Sequence, residues 1–258
     1  MEYIPIYGKQ FSRIICGSNP FYGHSHFSDA RSTEYLNRFS DEEIGKVIDT
    51  CIERGINTVE TSANERIYRI ISNKTDSNKK RLLNTISSTR IDETSKVKRH
   101  QDKLDMSIVQ ECSICVIHSQ YLEREIKGDS IIGIEQMLET IHQKGLISGI
   151  STHSNSIIEL CEKNKYPIDV YMFPLKILGF TYPGYKGNET IEDRITLINN
   201  VEKPFIIIKS MAAGRIPPSE ALEFINKNMK KSDMISIGFG SAEEVNETID
   251  IWEKITER

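Results

Sequence analysis

The sequence predicts an α/β protein, a single-domain (β/α)8 TIM barrel spanning residues 1–258. Two observations carry that expectation. Short β-branched runs alternate with amphipathic segments from one end to the other, and eight such units fit within 258 residues, about the length of one such barrel. A third observation agrees with them: residues suited to chemistry fall just after the C-terminal ends of the strands, the face on which these barrels build their sites. A doubly wound open sheet is the alternative reading of the same alternation.

The strands read in order as "RIIC" (13–16), "NTVE" (57–60), "LLNTISS" (82–88), "ICVIH" (114–118), "SGIST" (148–152), "DVYMF" (169–173), "FIIIK" (205–209) and "MISIG" (234–238). Helical patterns follow, clearest at 41–55, 133–145, 218–228 and 241–255. Ser40 and Ser241 are each followed three residues later by Glu, the spacing of a capping box, and Gly55 and Gly145 stand where C′ glycines belong. The longest irregular stretches, 17–40 and 178–189, would overhang the same mouth.

Composition narrows the function. With 33 basic and 37 acidic residues the net charge is -4 and no basic block stands out, so nucleic-acid and anionic-membrane partners gain no electrostatic support. No apolar run approaches membrane-spanning length, and "MEYIPIYGKQF" lacks a basic segment followed by an apolar one. The expectation is a cytoplasmic protein with a small-molecule substrate; nothing in the pattern sets an oligomeric state. The five cysteines are odd in number and scattered, which suits reduced core thiols. "CSIC" at 112–115 has metal or redox spacing but no second pair nearby.

The strand ends are richer. His24 and His26 follow the first strand in "GSNPFYGHSHF"; Glu60 ends the second, His118 the fourth, and Lys209 the seventh, and His153 follows the fifth. Imidazoles with a carboxylate suit Zn, Mn, Fe or Ni, and His-x-His in extended backbone presents two rings to one side. His24, His26, Glu60 and His153 are therefore the candidate metal ligands. Ordinary loop hydrogen bonds explain His24 and His26 equally, and Glu60 has Arg66 or Lys209 as candidate ion-pair partners. Lys209 ends an apolar strand, so desolvation would make its amine a base or Schiff-base former. Arg215, with Gly238 and Gly240 in "GFGS", lies in the loops after the last two strands, the usual phosphate site of this fold.

With those segments in view, the chain resembles an aldo-keto reductase over nearly its whole length. "RGINTVETSANE", "ICVIH", "IHQKGLISGISTHS", "KPFIIIKSMAAGRI" and "IGFGSAEEVNETI" resemble that family's strand 2, strand 4, helix 4 to strand 5, and last two strand-loop segments. The resemblance implies a (β/α)8 barrel and NAD(P)-dependent hydride transfer with a tyrosine acid. His118 matches the family's histidine, Glu60 stands at its aspartate, and Ser151 at the serine that holds the carboxamide. Glu65 replaces the tyrosine, and "NTISSTR" offers no lysine. Lys209 stands at the aromatic residue that stacks on nicotinamide, and Glu244 at the arginine that grips the 2′-phosphate.

The reading is therefore a scaffold of that family doing non-redox, metal-assisted isomerisation, elimination or hydrolysis on a small polar metabolite. Glu60, His118 and Lys209 are its catalytic candidates, and Tyr22, Ser151, Arg215, Gly238 and Gly240 its substrate contacts. An NAD(P)H-dependent carbonyl reductase with Tyr22 or Tyr68 as proton donor is the alternative. A catalytically silent binding protein is the third reading.

Overall fold

The computed structural model describes residues 1–25, 27–78, 80–91, 99–179 and 188–257. Eight short strands form its centre: β1 (Ile14–Gly17), β2 (Thr58–Thr61), β3 (Asn84–Ser88), β4 (Ile114–Ile117), β5 (Ile147–Ser151), β6 (Val170–Pro174), β7 (Phe205–Ile208) and β8 (Met234–Gly238). All pair in parallel in chain order, and β8 returns to β1, so the sheet closes and the open-sheet alternative falls. Around it run α1 (Asp29–Arg38), α2 (Asp41–Glu53), α3 (Glu65–Ser72), α4 (His100–Val109), α5 (Ser119–Glu125), α6 (Ile134–Gln143), α7 (Asn155–Lys163), α8 (Ile191–Asn200), α9 (Pro218–Asn228) and α10 (Ala242–Thr256).

Alternation along each strand divides the core in two. Outward residues such as Ile14, Cys16, Val59, Ile117, Phe173 and Ile207 pack under the helices. Inward residues, among them Ile15, Ile86, Ile114, Val116, Met172 and Ile206, pack with Ile4, Ile6 and Phe11 of an N-terminal hairpin, Tyr3–Ile6 against Lys9–Ser12. That hairpin plugs the N-terminal end of the barrel. The next inward layer changes character: Gly238, Gly17 and Glu60 stand side by side in the register, with Ser88 and Ser151 further round. Apolar filling below and small or polar residues above make the C-terminal face the polar end of the barrel.

Boundaries differ from the sequence reading by a residue or two where caps decide them. His118 and Lys209, expected as last strand residues, lie one residue beyond β4 and β7. His118 is instead the N-cap of α5, its Nδ1 accepting from the Gln120 N–H at 3.3 Å. Ser40 and Ser241 do cap α2 and α10, but Glu244 returns its carboxylate to the Gly240 N–H, 2.7 Å away, rather than to the cap residue. A complete capping box forms at Thr190 and Asp193 on α8, which the sequence reading did not single out. All five cysteines are buried free thiols, and Cys112 lies before β4 rather than within it.

Candidate active site

Glu60 faces inward on β2, paired in register with Gly17 of β1. Burial dominates its chemistry: desolvation pushes the carboxyl up to about 7, against a smaller opposing pull from Arg90. The expected pairing with Arg66 is not made, because the Arg66 guanidinium binds Asp41 at 2.6 Å on the outer surface. A half-protonated carboxylic acid at neutral pH is suited to giving and taking protons.

Arg90, two residues past β3, is the residue that sequence reasoning passed over. Its positive charge lowers the proton affinity of Glu60, His118 and Lys209 alike, which places it electrostatically at the centre of the group. It also reaches Asn19 Oδ1 at 3.5 Å. The signal was available in "NTISSTR": a lone cation directly after a buried polar strand end.

His118 is held neutral. Desolvation, then the charge of Arg90, brings its pKa down to about 3. His100, read only as part of a helical pattern, opens α4 with its buried ring turned to the Thr89 carbonyl, Nδ1 to O 2.9 Å, and burial lowers its pKa as well.

Lys209 leaves β7 in left-handed backbone, φ 63°, and its Nζ lies 3.1 Å from His153 Nε2. Desolvation and the neighbouring cations Lys176 and Arg90 bring its pKa down to about 8. His153 is positioned from below by Arg194 of α8, a fully buried arginine that donates to the His153 carbonyl at 2.8 Å and sits 4.8 Å over the Phe173 ring. Arg194 was also missed; it interrupts an otherwise apolar helix face with Leu197 and Ile198.

The described residues give the metal expectation no support. Among the described residues no group of three or more His, Cys, Asp or Glu is arranged to hold an ion. His153 Nε2 faces an amine, and His24 lies beside Tyr22, ring centroids 6.1 Å apart. The ligand set of His24, Glu60 and His153 is thus not assembled; His26 lies outside the described residues, as do residues 180–187 of the expected covering loop.

Tyr22 faces the mouth from the turn after β1, with its hydroxyl hydrogen-bonded to Thr61 and its pKa raised by burial. Tyr68 does not serve: its hydroxyl accepts from Arg81 at 2.7 Å, and Arg81 pairs with Glu111 at the opposite end of the barrel. Ser151 is a buried residue closing β5. Arg215 lies in the loop after β7, its guanidinium on the Ala212 carbonyl at 3.1 Å and 4.9 Å over the Phe27 ring. Gly238 packs on Pro20, and the Gly240 N–H is taken by Glu244, so an anion at the α10 N-terminus competes with a carboxylate already there.

No protein-family model and no curated protein matches the chain. Solved structures do. A Pseudomonas aeruginosa protein assigned to the aldo-keto reductases superposes with TM-score 0.71 at 14% identity, covering 98% of this chain and 95% of that one. The aldo-keto reductase AKR11C1 from Bacillus halodurans, in its holo form, gives 0.62 at 12% identity, covering 99% and 95%. The chain has the aldo-keto reductase barrel fold. The N-acetylmannosamine-6-phosphate 2-epimerase from Clostridium perfringens also matches, TM-score 0.53 at 14% identity over 92% and 90% of the chains, so the fold leaves the chemistry to the site. Glu60 stands on β2 and His118 just past β4, where the sequence reading places them. Glu65 begins α3 behind its Asn64 cap. Among the described residues no helix is long and apolar enough to cross a membrane.

Proposed function

We propose that this barrel is an enzyme moving protons on a small, anionic, carbonyl-bearing metabolite, by isomerase- or lyase-type chemistry. The observation that carries the reading is Glu60, a carboxyl brought to about 7 by burial inside a mouth whose other charges are mainly cationic. In this reading Arg90, with Lys176, draws the anionic end of the substrate. His118, neutral at any physiological pH, donates a hydrogen bond to the carbonyl oxygen, while Glu60 removes and returns the proton on the adjacent carbon. This reading gives no role to a metal, and the turning of His153 to Lys209 rather than to Glu60 supports it.

The second reading is NAD(P)H-dependent carbonyl reduction. It is favoured by the similarity to aldo-keto reductase structures, one of them a holo form, over nearly the whole chain. Glu60 would then supply the proton to the alkoxide, and Glu244 at the α10 N-terminus would favour NADH over NADPH through repulsion of a 2′-phosphate.

One experiment separates the two. A panel of phosphorylated and carboxylated aldehydes and ketones is incubated in D2O with the protein, with and without NADH or NADPH. The expected outcome is deuterium entering the carbon next to the carbonyl without nicotinamide, in the wild type and not in Glu60→Gln. Stoichiometric NADH or NADPH oxidation with no exchange would replace the first reading by the second.

A further inference from the structure

Lys209 does not fit a purely electrostatic role. It is the first residue after β7, open to solvent at the floor of the mouth yet flanked by protein on most sides. Its amine stands 3.1 Å from His153 Nε2, the spacing of a nucleophile and the base that takes its proton. Arg194 fixes the His153 backbone from a fully buried position, so the pair is not a chance surface contact. The backbone there is also strained. Lys209, Ala212 and Ala213 have φ of 63°, 48° and 60°, three left-handed non-glycine residues within five positions, a conformation that costs of order 1 kcal/mol or more each. Such strain persists where the surroundings hold a residue for a purpose.

We infer that Lys209 is a covalent catalyst, its amine forming an imine with the carbonyl carbon of an anionic aldehyde or ketone while His153 relays the proton. This deepens the proposed proton-transfer reading and rests on it for the role of Glu60. The neutral amine attacks the carbonyl carbon; the C–N bond forms as the carbonyl π pair moves to oxygen. That oxygen takes a proton from the Glu60 carboxylic acid, and the nitrogen releases one to His153 Nε2. His153 then returns its proton to the hydroxyl, which leaves as water, and the nitrogen lone pair closes a protonated imine. The net change is amine, carbonyl and carboxylic acid to iminium, water and carboxylate, with no oxidant required. The iminium acidifies the neighbouring C–H, and the Glu60 carboxylate is the base that removes it. Lys176 and Arg90 serve twice, disfavouring the ammonium form of Lys209 and attracting the anionic substrate.

The test uses pyridoxal 5′-phosphate, an aldehyde that carries a phosphate, on the unaltered protein near neutral pH, followed by borohydride reduction and peptide mass mapping. Labelling at Lys209 should exceed that at the exposed Lys46 and Lys163 by at least about tenfold, the lowered proton affinity outweighing its partial enclosure. Inorganic phosphate should protect it, and pyridoxal without the phosphate should label it less. His153→Gln should lower labelling near neutrality and recover it at alkaline pH. Label spread over exposed lysines with no preference for Lys209, or preference indifferent to phosphate, overturns the inference. The probe's imine needs no enzyme acid, so Glu60→Gln should still be labelled at Lys209. Failure at Glu60 and failure at Lys209 are thereby read separately.

Discussion

Glu60 on β2 and His118 just past β4 stand on either side of β3, and burial drives both toward their neutral forms. A carboxyl raised from 4.5 to about 7 in the folded chain keeps its proton where the unfolded chain has released it. Stability therefore falls as pH rises from about 4.5 to about 7 and stays lower above that window. Glu60→Gln should accordingly melt at a higher temperature than wild type at pH 8, by a few degrees, and at the same temperature near pH 4.5, as scanning calorimetry would show. His118 is neutral across the same range, so a kinetic limb near 7 belongs to Glu60. His118→Ala should lose about 1 kcal/mol of stability through the α5 cap, read by urea unfolding, and His118→Asn should retain most of it. The sequence displayed His118 and Lys209 because each follows an apolar strand, and Glu60 because it is a charged residue near the end of one. It hid Arg90 and Arg194, whose importance depends on which distant groups the fold brings to them.

The turn Asn19–Tyr22 and strand β8 meet through a glycine. A Cβ on Gly238 would lie 2.9 Å from Pro20 Cδ, so Gly238→Ala must push back the turn that carries Tyr22. A cost of about 1–3 kcal/mol in urea unfolding is expected, with reduced turnover. At the other side of β8, Glu244→Ala releases the Gly240 N–H and should tighten inorganic phosphate binding several-fold by calorimetry; unchanged affinity would deny that the carboxylate fills that site. Strands and the long helices were legible from periodicity, and α9 was read to the residue. Helix α1 was not, because it buries no side chain and so leaves no apolar stripe in 17–40.

The closed barrel, with an apolar lower half and a polar mouth, separates stability from chemistry. Phe11, fully buried where the hairpin plugs the barrel, should cost about 3–5 kcal/mol on replacement by Ala while kcat at low temperature stays unchanged. A proportional loss of kcat would mean that the plug also shapes the mouth. Eight strand patterns sufficed for the architecture. The hairpin went unread although Tyr7 and Gly8, with φ of 46° and 79°, form the two-residue turn that such hairpins favour. The metal set gains no support among the described residues for a different reason: strand-end positions bring residues to one face, but which way each ring turns depends on hydrogen bonds such as that between His153 and Lys209.

The most direct measurement is the titration of the Glu60 carboxyl itself, followed by 13C NMR from pH 4 to pH 9 and assigned by the loss of one signal in Glu60→Gln. A midpoint near 7 is expected, moving higher in Arg90→Gln. A midpoint near the roughly 4.3 of an ordinary glutamate would contradict the proton-transfer role on which the proposed chemistry depends.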